Sequence, residues 1–155
     1  MKVFLNPGHA PDGNPDPGAC NYAMGLRECD VAANVVNLLE GYLAAAGVEI
    51  AGVLQSDSLG EIADTANASG ADIFVSVHCN AFNGCAKGTE VLIYRAGGEG
   101  EKLAQCIQNQ IVGALGTVDR GLKERPGLYV LKHTDMTAVL VEMAFIDNDE
   151  DAELL

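Results

Sequence analysis

Four side chains in this sequence could share one piece of chemistry: His9, Glu28, His78 and Glu142. Two imidazoles and a carboxylate make the His2Glu set of catalytic zinc, which leaves a fourth position for water. Zinc held there would bring the water's pKa toward about 7 and polarise a carbonyl oxygen. With His9, Glu28 and His78 as ligands, Glu142 is left to take the water's proton and return it to a leaving nitrogen, a role typically worth about 10²–10⁴-fold in rate.

Each residue alone has an ordinary explanation. His9 could cap the Pro7-Gly8 turn, Glu28 could favour a helix N-terminus, His78 could be a hydrogen-bonded core histidine, and Glu142 a charge leaving a buried strand. The four are also dispersed, unlike a compact HExxH, so spacing alone does not bring them together. The elements that carry them must do so.

Those elements alternate between β-rich runs and helical patterns, which predicts an α/β single domain over residues 1–155. The expected core is a twisted, mostly parallel or mixed sheet of about six strands with helices on both faces. A first strand at 2–6 precedes a long turn-rich loop from Pro7 to Gly25. Val31, Val35, Leu38, Leu39 and Tyr42 recur at helical spacing between Glu28 and Ala46, and Gly47 ends the pattern. A strand near Val48–Leu54 leads to a helix capped by Ser56 or Asp57 that runs to about Ser69.

"ADIFVSVHCNA" reads as a buried strand ending at His78, and Thr89–Tyr94 as the next. Leu103, Ile107 and Ile111 share one face of a third helix. A connection through Arg120, Gly121 and Pro126 is expected to reach a strand at 128–131, and "TAVLVEM" forms the last, Thr137–Met143. The acidic "DNDEDAELL" suits a helix start. That helix is expected to be short or to continue past Leu155. His9, His78 and Glu142 thus lie at or just beyond the C-terminal ends of strands, and Glu28 opens the helix after the first loop. Open α/β sheets place their ligand sites at that edge.

Acids outnumber bases 22 to 9, for a net charge of -13, so nucleic acid is not the expected ligand. The same charge should weaken direct adhesion to anionic cell-surface polymers, so a wall-acting version would profit from a separate attachment module; a wall-binding domain or an activator protein are the partners to look for. No apolar stretch is long enough for membrane insertion. Met1-Lys2 leads straight into a strand with no signal-peptide pattern, which predicts a chain that is cytoplasmic until released, or a domain of a longer exported protein. Cys20, Cys29, Cys79, Cys85 and Cys106 are odd in number with no CxxC, and read as reduced thiols. Cys79, beside His78 on a strand, points to the other face and reads as a packed thiol.

Five segments, in order, resemble the zinc-dependent N-acetylmuramoyl-L-alanine amidases of the type 3 amidase family. "NPGHAPDGNPDPGA" resembles the family's opening Asp/Asn-Pro-Gly-His loop, and "GLRECDVAANVVNLL" its metal-ligand Glu at a helix start. "ADIFVSVHCNAF" resembles the strand ending in the second ligand His, and "GTEVLIY" the strand after it. "DRGLK" with "LYVLKHTDMTAVLVEMAFIDNDED" resembles the closing block with the catalytic Glu. The helix before "AN" lacks the Arg that many members carry there.

The resemblance implies an enzyme that holds zinc through His9, Glu28 and His78 and uses Glu142 as general acid/base. It implies peptidoglycan or a muropeptide as substrate, cut at the amide between N-acetylmuramic acid and L-alanine, and so action on the bacterial cell wall. Two rivals share the features: a zinc peptidase trimming wall peptides, and a non-catalytic wall-binding module of the same fold. A nucleotide enzyme is disfavoured, because "GGEGEKLAQ" lacks the GxxxxGK[ST] pattern and the first strand-helix turn has no GxGxxG.

Overall fold

The computed structural model describes residues 1–155. Its centre is a six-stranded mixed sheet, as expected for an α/β chain. Strand β1 (Lys2–Pro7) is followed by a loop with a 3-10 turn at Pro11–Gly13 and a small hairpin, β2 (Cys20–Asn21) with β3 (Leu26–Arg27). Helix α1 (Glu28–Ala45) then crosses to β4 (Glu49–Val53), and α2 (Leu59–Ala68) to β5 (Ile73–Asn80). After β6 (Thr89–Ile93) come α3 (Glu99–Leu115), β7 (Asp119–Glu124), α4 (Tyr129–His133), β8 (Thr137–Phe145) and α5 (Asp149–Ala152).

The strand order is β4-β1-β5-β8-β6-β7. All neighbours run parallel except β6 against β8. From β1 the chain steps outward to β4 and then back past β1 to β5. Crossovers between parallel strands are right-handed, so this reversal sends α1 and α2 to opposite faces. The gap between β1 and β5, where the winding reverses, is the switch point at which such sheets bind ligands.

The period-2 alternation of the central strands supplies each face with its own apolar set. Val3, Leu5, Val75, Val77, Val139 and Val141 pack with Val31, Ala32 and Val36 of α1 and Ala104 of α3. On the other face Phe4, Phe74, Leu92 and Leu140 pack with Ile62 and Ala66 of α2 and Val130 and Leu131 of α4. Between α1 and α3 the first face keeps an apolar trough of about 610 Å³.

Three expectations need correction. Residues 128–131 are not a strand: Leu128 precedes the short helix α4, whose adjacent Val130 and Leu131 are both buried, a helical rather than alternating pattern. Asn67 of α2 anchors its end, bonding His133 O at 2.9 Å and accepting from Asp135 N at 2.8 Å. The sixth strand is instead β7, "DRGLKE", inside the segment expected to be a connection. Its charges and glycine are poor strand formers but suit an edge, where charge blocks further pairing. The second helix is also capped later than expected: Ser58, not Ser56 or Asp57, accepts from Glu61 N.

Candidate metal centre

The first loop does most of the positioning. His9 leaves β1 with φ +65°, a left-handed conformation unfavourable for a non-glycine residue, and such strain gathers at functional sites. Gly8 donates to Val77 O at 2.9 Å, holding the loop against β5, and a Cβ at Gly8 would collide with the His78 ring. Gly18, at φ +69°, meets the same demand from the far side: a Cβ there would lie 2.6 Å from Glu28 Oε2. Both glycines are needed because the backbone passes this close to the site's side chains.

Glu28, Arg27's neighbour at the first position of α1, is 4% exposed and sits between the imidazoles. Its Oε2 lies 2.9 Å from His9 Nε2 and its Oε1 2.9 Å from His78 Nδ1. Backbone N–H groups of Ala19 (2.9 Å) and Cys79 (3.0 Å) donate to the same two oxygens. Burial works to raise the Glu28 pKa, but His78, His9 and the Ala19 N–H outweigh it and bring it to about 2.

Each imidazole is oriented from behind. Asp16 Oδ2 lies 2.8 Å from His9 Nδ1, so that nitrogen carries the proton and Nε2 faces Glu28. Burial would lower the His9 pKa, but Glu28 and Asp16 together raise it to about 9. Behind His78 runs a longer relay. Asn6 Nδ2 is committed to the carbonyls of Pro7 and Leu54, at 3.0 and 2.8 Å. Its Oδ1 therefore accepts from the Ser76 hydroxyl at 2.6 Å, and Ser76 Oγ can accept from His78 Nε2 at 3.1 Å, leaving Nδ1 toward Glu28. Asp16, Asn6 and Ser76 were not expected from the sequence. Asp16 sits in a Pro-rich turn, and the other two are small polar residues inside a strand pattern.

This arrangement fits a divalent cation. With the outer nitrogens protonated, two imidazole lone pairs face one carboxylate, and that cluster of acceptors is stable only with protons or a cation among them. Ligand atoms from His9, Glu28 and His78 all lie within 4.8 Å of one another, against about 3.3 Å for adjacent corners of a tetrahedral site with 2.0 Å bonds.

Glu142 stands beside this cluster through β-sheet register. It pairs with His78 across the β5–β8 ladder and with Glu90 across β8–β6. Its Oε2 is sealed from solvent with no hydrogen-bond partner. Burial, with the Glu28 and Glu90 charges adding to it and His9 opposing, pushes its pKa up to about 8. A cavity of about 230 Å³ opens next to the histidines, lined also by Asp16, Asp57 and Tyr129. Cys79 is buried, its thiol pKa pushed well up by that burial, which suits packing rather than reactivity.

The four residues singled out in the sequence therefore meet at one sheet edge. A family model described as N-acetylmuramoyl-L-alanine amidase matches residues 3–155. The chain belongs to this amidase family. It is 36% identical to the N-acetylmuramoyl-L-alanine amidase LytC of Bacillus subtilis, over 99% of this chain and 31% of LytC. It is 37% identical to the endolysin of Bacillus phage SPP1, over 99% of this chain and 58% of the endolysin. The crystal structure of an N-acetylmuramoyl-L-alanine amidase from Clostridium difficile 630 superposes with a TM-score of 0.88 at 29% identity, covering 98% of this chain and 83% of that one. The chain thus spans about a third of LytC and somewhat over half of the endolysin.

Proposed function

We propose that residues 1–155 form a peptidoglycan amidase domain that cleaves the amide between the lactyl group of N-acetylmuramic acid and L-alanine. In this reading His9, Glu28 and His78 hold zinc, and Glu142 is the general acid/base. The observation that carries it is the paired support of the imidazoles, Asp16 behind His9 and Asn6–Ser76 behind His78, which turns both inner nitrogens toward Glu28 beside the unpartnered Glu142 oxygen.

When bound, zinc supplies Lewis acidity toward a carbonyl oxygen and lowers the pKa of water. The chain's own residues do the rest. Glu28 accepts from the Ala19 and Cys79 N–H groups, which favour its ionised form, and the carboxylate behind His9 fixes the ring's tautomer. Glu142 Oε2 accepts a proton as water attacks the carbonyl carbon, and returns it to the nitrogen as the C–N bond breaks. The products are a lactyl carboxylate and the free amine of L-alanine. Its raised proton affinity has the direction this acceptor role requires.

The net charge of -13 supports a further element of the reading, delivery to the wall by an attachment module or activator. No helix is long and apolar enough to cross a membrane.

The test is incubation of the zinc-loaded chain with a defined muramoyl peptide, with and without chelator, followed by mass spectrometry. Chelator-sensitive release of an intact peptide beginning with L-alanine is expected. Shortening of the peptide from its other end would replace the amidase by a peptidase, and no cleavage at all would leave the wall-binding alternative standing.

A further inference from the structure

Cationic side chains are scarce in this chain, nine against 22 acids, yet Arg120, Lys123, Arg125 and Lys132 all fall between residues 120 and 132, with Glu124 the only acid among them. Strand β7 delivers the first of these to the edge that holds the metal centre. His78, Glu142 and Glu90 stand side by side across β5, β8 and β6, and Arg120 of β7 extends the row.

The Arg120 guanidinium is held on two sides. Its Nε donates to Glu90 Oε2 at 2.8 Å, while Asn80 Nδ2 donates to the other Glu90 oxygen at 3.0 Å. Its central carbon lies 4.8 Å from the centre of the buried Phe145 ring. Arginine–carboxylate pairs are frequently bidentate, the guanidinium fork meeting both oxygens. Here only Nε is engaged: neither Nη makes a hydrogen bond, and the side chain is 35% exposed. The unused edge keeps its N–H donors free for an anion.

We infer that Arg120 binds a carboxylate of the substrate on the amine side of the scissile bond, and so sets specificity within the amidase reading on which this rests. The sugar side offers no anion, because its lactyl carboxyl is the acyl half of the amide. Two strand spacings, about 10 Å, separate the backbones of Glu142 and Arg120. An extended peptide covers that in about three residues at roughly 3.3–3.6 Å each. A free carboxylate on one of the residues following L-alanine lies within that reach.

The experiment compares two muramoyl peptides that differ only at this group, carboxylate against carboxamide, in the zinc-loaded wild type, Arg120→Lys and the double variant Arg120→Gln with Glu90→Gln. The double variant leaves no buried charge unpaired. Wild type is expected to favour the carboxylate by about 10–100-fold in kcat/KM, carried by KM, as for a hydrogen bond to a charged group. The preference shrinks in Arg120→Lys and disappears in the double variant. A purely structural role would lower both substrates equally and leave the ratio unchanged, and that result, or no preference in wild type, overturns the inference. Cleavage of neither peptide would instead sink the amidase reading. Calorimetric binding of the two L-alanine-led peptides, free of sugar, then decides Arg120 separately: equal affinity of wild type for both refutes it.

Discussion

Two cavities on the sheet differ in kind, and the larger of the two is the apolar one. The trough of about 610 Å³ between α1 and α3 is lined by side chains such as Val35, Leu39, Ile107 and Ile111. The cavity of about 230 Å³ at the strand ends is lined by His9, His78, Asp16 and Asp57. On the faces, side chains alternate regularly and gain free energy by removing apolar area from water. At the edge the ladder ends, backbone turns become free, and polar groups can converge if others hold them. That convergence has costs the faces do not carry: a left-handed His9, a buried Glu28 and an unpartnered Glu142 oxygen.

If the edge is the seat of chemistry, the largest effects on turnover belong there. Glu142→Gln should lower kcat by about 10²–10⁴-fold while metal content per chain, read by atomic emission, stays at the wild-type level. His78→Ala should lose the metal itself. Near-normal turnover in the first variant, or full metal occupancy in the second, would break the division of roles between them.

A face substitution should show the reverse pattern. Phe74 is fully buried and stacked on Phe4 with ring centroids 6.0 Å apart. Phe74→Ala should cost about 3–5 kcal/mol in denaturant unfolding with turnover per folded molecule preserved. If turnover fell in proportion, the face and the edge would not be separable.

The smallest effect is on pH dependence in the metal-free chain. His9 is raised from 6.5 to about 9, so its contribution is fully present below about 6.5 and is lost as pH rises toward 9. Glu142 is raised from 4.5 to about 8, so the folded state also binds its proton more tightly, and stability falls further between those values. Glu28, lowered from 4.5 to about 2, acts oppositely: its contribution is present above 4.5 and is lost toward pH 2. Denaturation midpoints should therefore decline from about pH 5 to pH 9. The decline should flatten in Glu142→Gln and persist in Phe74→Ala; an unchanged slope in Glu142→Gln would mean that its carboxyl titrates normally.

How legible these regions were follows their physics. The face strands were readable because burial imposes a period, and β5 and β8 were found within a few residues of their ends, each continuing two residues past the expected stop. Strand β7 was hidden because an edge strand with charges at most positions has no apolar alternation to read. The segment at 128–131 misled for the opposite reason: a short apolar run fits a strand or one helical turn equally, and only packing against α2 chose the helix. His9, Glu28, His78 and Glu142 were legible by residue type at element ends.

By itself, then, the sequence determined the α/β class, the apolar faces and the four chemical groups, because these depend on local periodicity and side-chain chemistry. Tertiary structure decided which groups touch: Asp16 behind His9, Asn6 and Ser76 behind His78, Glu90 and Arg120 beside Glu142. Register and crossover handedness set those meetings, and both are properties of strands far apart in the chain whose pairing no local pattern encodes.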